Sequence, residues 1–280
     1  MSLLADIILR LVLVVITAII LGLVFIVRPN GLPRDVSTWY NRIVAVLPEL
    51  TILGSILAIN SYARQYGPEV SWVIGWEITD SIYQLEGGLI IWIQGFATPP
   101  VTTYFSRIYV YGYVFLLVFP IIAYLALSDS RPVRTLLLAY GLNYLIGLMI
   151  YTITIAYGPR NLLPELVEPL MYTTFPEYQE LTRQVNRRTN VFPSLHTSLS
   201  VTVLLMAYLT RDRYPRWLLV AAIIGVSVVI STMYLGIHWA TDVLAGVLLA
   251  FVSVAIASYL INTWGGDTFL PEAIYRKLTR

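Results

Sequence analysis

The sequence predicts an all-α integral membrane protein, and three observations carry that prediction. Hydrophobic residues make up 58% of the chain and charged residues only 12%, whereas a soluble domain carries about 25% charged residues. The apolar residues fall in blocks long enough to cross a bilayer as helices. Cysteine is absent, which removes disulfides, thiolate metal sites and cysteine nucleophiles together. A net charge of +2 without a basic run gives no reason to expect a nucleic-acid partner. Lys277 is the sole lysine, so nearly all positive charge is arginine. That side chain suits bidentate phosphate recognition, but the bias follows equally from genome composition.

Seven stretches meet the roughly 17–25 residues that a spanning helix needs. They run approximately 5–27, 43–63, 104–127, 135–157, 195–210, 217–237 and 240–261. The first is too long for the apolar region of a signal peptide. Arg28-Pro29-Asn30 follows it instead of a small-residue cleavage site, so it reads as a retained span. The fifth is short and is expected to begin a few residues earlier. Between the second and third spans, residues 70–97 mix Trp72, Trp76, Tyr83 and Trp92 with Glu77, Asp80 and Glu86. Aromatic rings among charges favour the headgroup region, which predicts one or two helices lying on the membrane surface. The expected organisation is an N-terminal span and basic loop (1–42), a six-span catalytic domain (43–261) and a tail (262–280). Within the domain, 158–193 is the long active-site loop.

Basic loop residues set the orientation. Arg28, Arg34, Arg42, Arg131, Arg134, Arg211, Arg213, Arg216 and the basic C-terminal residues collect on one side of the seven-span count. That side is read as cytoplasmic, in a multi-pass protein of the cell membrane with a cytoplasmic C-terminus. Residues 158–193, both histidines and Asp242 then fall together on the extracytoplasmic side.

These histidines, His196 and His238, are the only two in 280 residues. His238 ends the sixth span and Asp242 opens the seventh. In helical backbone the i to i+4 spacing puts both side chains on one face. The carboxylate can then accept one imidazole N–H and leave the other nitrogen free to attack, as in a triad built on a histidine nucleophile. His196 stands in Pro193-Ser194-Leu195-His196. Proline suits a first helical turn, and that turn's amides with the Ser194 hydroxyl make an anion site. His196 beside the anion could protonate a leaving group. A lone histidine at a helix end is usually structural; a pair at span ends on one side, one of them with an i+4 carboxylate, points to function. A His-His-Asp metal site remains an alternative, without a third histidine or a cysteine to complete it.

At these residues the chain resembles the type 2 phosphatidic acid phosphatase superfamily, whose six-helix core carries Pro-Ser-Gly-His and a later Ser-Arg-x5-His-x3-Asp. Here they read Pro193-Ser194-Leu195-His196 and Ser231-Thr232-x5-His238-x3-Asp242, over roughly residues 43–261. The resemblance implies a six-helix bundle of that type, with the first span as an addition. It also implies cofactor-free, metal-independent phosphoryl transfer through a phosphohistidine on His238, with Asp242 orienting it and His196 as general acid. Thr232 replaces the family's arginine, and Ile153 replaces the lysine of Lys-x6-Arg-Pro, leaving Arg160. The Phe-Pro-Ser-Leu-His form looks most like the inositol phosphorylceramide synthase branch, whose members pass a head group between lipids. A lipid phosphate substrate in the bilayer and a polyol or lipid alcohol acceptor are therefore expected, with hydrolysis as the alternative. A phosphate still needs cations; Arg160 matches the motif, and Arg187 and Arg188 precede the Pro-Ser turn. Headgroup anchoring would equally explain those two. Glu49, inside the second span, reads as a polar packing residue. A transporter using the histidines as proton relays would spread ionisable groups along its spans; here they cluster at one face.

Overall fold

In the computed structural model, residues 3–28, 31–183 and 191–263 are described. The chain is helical nearly throughout. α1 (Leu3–Gly22) continues through a π-helical turn to Val27 and α2 runs from Val36 to Ile74. After strand β1 (Trp76–Glu77) come α3 (Thr79–Glu86), α4 (Leu89–Gln94) and α5 (Pro99–Arg107). A second π-turn, Ile108–Gly112, joins α5 to α6 (Tyr113–Leu125). α7 (Arg131–Ile153) leads into β2 (Thr154–Ile155). The short helices α8 (Pro159–Leu162), α9 (Leu170–Thr174) and α10 (Tyr178–Arg183) follow. α11 (Leu195–Leu209), α12 (Pro215–Tyr234) and α13 (Ala240–Thr263) close the bundle. Among the described residues, six stretches are long and apolar enough to cross a membrane, and α11 is a shorter apolar helix of 15 residues.

α11 is the axis of the bundle, packed by α7, α12, α13 and α6. It is buried on nearly every side, with Leu199, Val203, Met206 and Ala207 at 2% exposure or less, the pattern of a helix without a solvent face. The main apolar core lies toward the α11 C-terminus, where Phe115, Phe119, Leu136, Leu137 and Trp217 meet. α1 joins this core through Gly22, where a Cβ would strike the Phe119 ring. A groove of about 480 Å³ remains beside α1, bordered by Val14, Thr103, Arg107 and Tyr111.

Three expectations change in detail. The fifth span does not start early: Ser194 is extended (φ −68°, ψ 106°), accepts the Thr197 amide and so caps the helix at Leu195. The second span belongs to one helix of 39 residues, whose apolar spanning part ends at Ala63. Residues 70–97 hold two short helices, α3 and α4, and also a strand. Beyond α2 they turn back, and β1 pairs in parallel with β2, Trp76 opposite Thr154. Ile78 N–H extends the pairing to Ile155 O at 3.0 Å, and the Gln94 amide clasps both Glu168 backbone groups and Tyr234 O.

Glu49 has a specific partner. Its Oε1 lies 2.8 Å from Arg134 Nε, with the side chains 0% and 4% exposed, so α2 and α7 share a buried ion pair.

Candidate active site

The first turns of α11 and α13 touch backbone to backbone. Ser194 N–H donates to Asp242 O at 3.0 Å, and a Cβ on Gly246 would lie 2.5 Å from Ser194 O. Only glycine lets the helices approach this closely. The Phe192–Pro193 peptide is cis, and the Tyr151 hydroxyl donates to Pro193 O at 2.7 Å. The Pro-Ser-Leu-His turn is therefore anchored from α7 and α13 together.

His196, half-buried, lies between two phenol rings. Tyr109 stacks at 4.5 Å and 21°, and Tyr113 lies at 4.4 Å and 36°. Both rings belong to the α5–α6 helix, one within the π-turn and one just after it. Together they fix the plane of the imidazole.

His238 sits outside regular helix, in the turn Leu235–Trp239 between α12 and α13. Gly236 takes the left-handed conformation there (φ 68°), which costs glycine nothing. The amides of Ile237 and His238 both donate to Thr232 O at 3.0 Å. The expected i to i+4 pairing survives without a helical His238: its Nδ1 is 3.3 Å from Asp242 Oδ2. The reason is a cap. Asp242 is the third residue of α13, and the same Oδ2 accepts Trp239 N–H at 2.8 Å, the reciprocal half of a capping box. Asp242 is fully buried and its Oδ1 has no hydrogen-bond partner. With Nδ1 turned to the carboxylate, Nε2 is the nitrogen left for chemistry.

Arg160 is brought to this turn by its backbone. Its N–H donates to Gly236 O at 3.1 Å, and a Cβ on Gly158 would collide with Ile237 O. Its guanidinium lies 4.7 Å over the Tyr172 ring and donates through Nη2 to the Tyr172 hydroxyl at 3.2 Å. That hydroxyl is 2.7 Å from Thr182 Oγ1. Arg160 Nη1 is buried without a hydrogen-bond partner, a cationic donor oriented but unspent. Beside it in the same loop, burial and then the Tyr111 hydroxyl push the Tyr178 phenol above its ordinary pKa.

Ser194, Arg160, His238 and Asp242 are thus linked through backbone contacts, and His196 stands two residues beyond Ser194. Ser194 is fully buried, and its oxygen serves as the α11 cap; its O–H remains a donor. Thr232 is buried and donates to Val229 O, adding no charge. Ile153 ends α7 half-exposed. Arg187 and Arg188 lie outside the described residues.

Sequence reading missed Tyr109, Tyr113, Tyr172, Gln94 and Glu86. The i, i+4 tyrosines were a visible signal, as was Glu86 before Gly87-Gly88. The two carboxylate oxygens of Glu86 accept the Ala240 and Thr241 amides, the first at 2.9 Å.

A sequence model of the PAP2 superfamily matches residues 83–256, more than half of the chain. The protein belongs to that superfamily, whose members are generally phosphatases or phosphotransferases. It is also 27% identical over 157 residues to an uncharacterised protein of Methanocaldococcus jannaschii, covering 54% of this chain and 59% of the relative. The chain thus matches little more than half of that relative's length. No solved structure gives a significant match. The matched residues include both histidine motifs, Arg160 and Glu86, and begin after α2.

Proposed function

We propose that the protein is a membrane-embedded phosphotransferase that acts on a lipid-linked phosphoester through a phosphohistidine and passes the phosphorylated head group to an alcohol. The observation that carries this reading is the shared Asp242 Oδ2, which holds both His238 Nδ1 and the Trp239 amide. A histidine locked by one nitrogen is a nucleophile at the other.

In the first step His238 Nε2 attacks phosphorus. The P–N bond forms, the P–O bond to the leaving alcohol breaks, and His196 gives that oxygen a proton. In the second step the acceptor hydroxyl loses its proton to His196 and attacks phosphorus, and the P–N bond breaks. Both histidines return to their starting states. Arg160 Nη1 and the Ser194 hydroxyl supply donors for the charge spread over the phosphoryl oxygens. Arg187 and Arg188 are proposed as further phosphate ligands.

Transfer rather than hydrolysis is favoured by burial: His238 is 5% exposed and Asp242 0%, beneath the α3–α4 and α8–α10 segments. The inositol phosphorylceramide synthase branch is the proposed relationship, with a polyol or lipid hydroxyl as acceptor. The test is to incubate purified protein with several lipid phosphoesters, with and without candidate alcohols, and measure free phosphate and new phospholipid together. Product that requires an alcohol supports transfer; free phosphate insensitive to added alcohol would make the enzyme a phosphatase. Turnover is expected to persist in EDTA, because Arg160 and helix amides supply the positive charge. Loss in EDTA reversed by one divalent ion would move the reading to a His-His-Asp metal site.

A further inference from the structure

We propose that Glu86 is a positioning residue for this reaction: from the end of α3 it holds the first turn of α13, and through that turn the pairing of Asp242 with His238. The inference rests on the phosphotransfer reading above.

Three successive amides open α13, and a helix start leaves such donors without partners of its own. All three are taken by carboxylates: Trp239 N–H by Asp242, Ala240 and Thr241 N–H by Glu86. Asp242 therefore bonds at both ends of a turn whose middle is held only from outside. If that turn frays, Oδ2 keeps neither Trp239 nor His238 in place. Glu86 also closes this helix end to phosphate, which directs an anion to the Ser194 turn.

Glu86 can do this because its own helix is fixed. Glu77 Oε1 accepts Thr79 N–H at 2.9 Å, and Thr79 Oγ1 accepts Tyr157 N–H at 3.0 Å. Tyr157 O in turn accepts Trp239 Nε1–H at 2.8 Å. Hydrogen bonds thus form a closed ring from α3 through Tyr157 and Trp239 to α13, and back through Glu86. Gly87 then leaves the helix at φ 57°, ending α3 with its carboxylate against the amides.

Glu86→Ala is expected to lower kcat by roughly 10–100-fold, by analogy with the outer partners that orient metal-ligating histidines, with KM near the wild-type value. Glu86→Gln keeps one acceptor oxygen and should fall between the two. The alanine variant leaves two amides facing a carboxylate-sized space, so formate should restore part of kcat. Amide exchange at residues 239–241 should rise in Glu86→Ala and fall again with formate. Unchanged kcat, or unchanged exchange at that turn, would overturn the proposal. So would a kcat loss that tracks the melting temperature and ignores formate, which is the mark of a purely stabilising cap. Should wild-type protein turn over no lipid phosphoester, the phosphotransfer reading fails. The exchange measurement then still decides whether Glu86 holds the turn.

Discussion

Asp242 serves two donors with one oxygen, so replacing it separates orientation from folding. Asp242→Asn can still accept the Trp239 amide but no longer presents a carboxylate to His238. Its turnover is expected to fall by roughly 10⁴, as when a triad carboxylate becomes an amide and the histidine takes the wrong tautomer. His238→Ala should abolish turnover. His196→Ala should be slowed most with poor leaving groups, which need the proton, and should accumulate phosphorylated enzyme when the leaving group is good. Near-normal rates in His238→Ala would refute the assigned nucleophile. The spacing of His196, His238 and Asp242 was legible because a motif keeps its count whatever the backbone does. The backbone itself was not legible: His238 lies in a turn, and its geometry depends on Gly236 and on a cap that only the folded chain reveals. The stacking of Tyr109 and Tyr113 on His196 was hidden for a related reason, since a π-turn alters the angular spacing that a helical reading assumes.

At the scale of elements, α2 and α7 are joined by Glu49 and Arg134. Removing one partner of a buried pair leaves an uncompensated charge, which costs about 3–5 kcal/mol. Glu49→Ala should therefore lower the melting temperature in detergent sharply. Glu49→Met combined with Arg134→Met should recover most of the loss, because paired apolar replacement is often neutral. Additive losses in the double variant would show that the two residues do not act as a pair. Of the seven expected spans, 195–210 is the shorter helix α11, and the other six were legible from length and hydropathy alone. The fold of residues 70–97 was not, because aromatic and charged residues read the same whether a segment meets lipid headgroups or packs on a neighbouring loop. Its parallel pairing with β2 joins residues nearly 80 apart in sequence, beyond any local pattern.

For the whole molecule, charge and span parity predict the extracytoplasmic side for residues 158–193. Arginines at the other end do more than follow the loop-charge rule. Arg42 donates to the carbonyls of Leu125 and Ala126 at the end of α6, and Arg216 to Phe25 O at the end of the first span. Cations there complement the negative ends of helix dipoles. A cysteine at Glu177 in this cysteine-free chain should react with an impermeant thiol reagent in intact cells, and one at Asp212 only after permeabilisation. The reverse pattern would put the site on the cytoplasmic leaflet. The brevity of α11 has its own consequence. Fifteen residues rise about 22 Å, well short of a hydrocarbon layer roughly 30 Å thick. Its first turn meets that of α13 at Ser194 and Asp242, so against the 24 residues of α13 the shortfall falls at the Thr210 end, and the leaflet on that side must thin to meet the charged loop that follows. That thinning has an elastic cost that grows with acyl length, so in vesicles of increasing chain length the unfolding temperature should decline steadily. The thickness of the membrane would then act as a governor on stability.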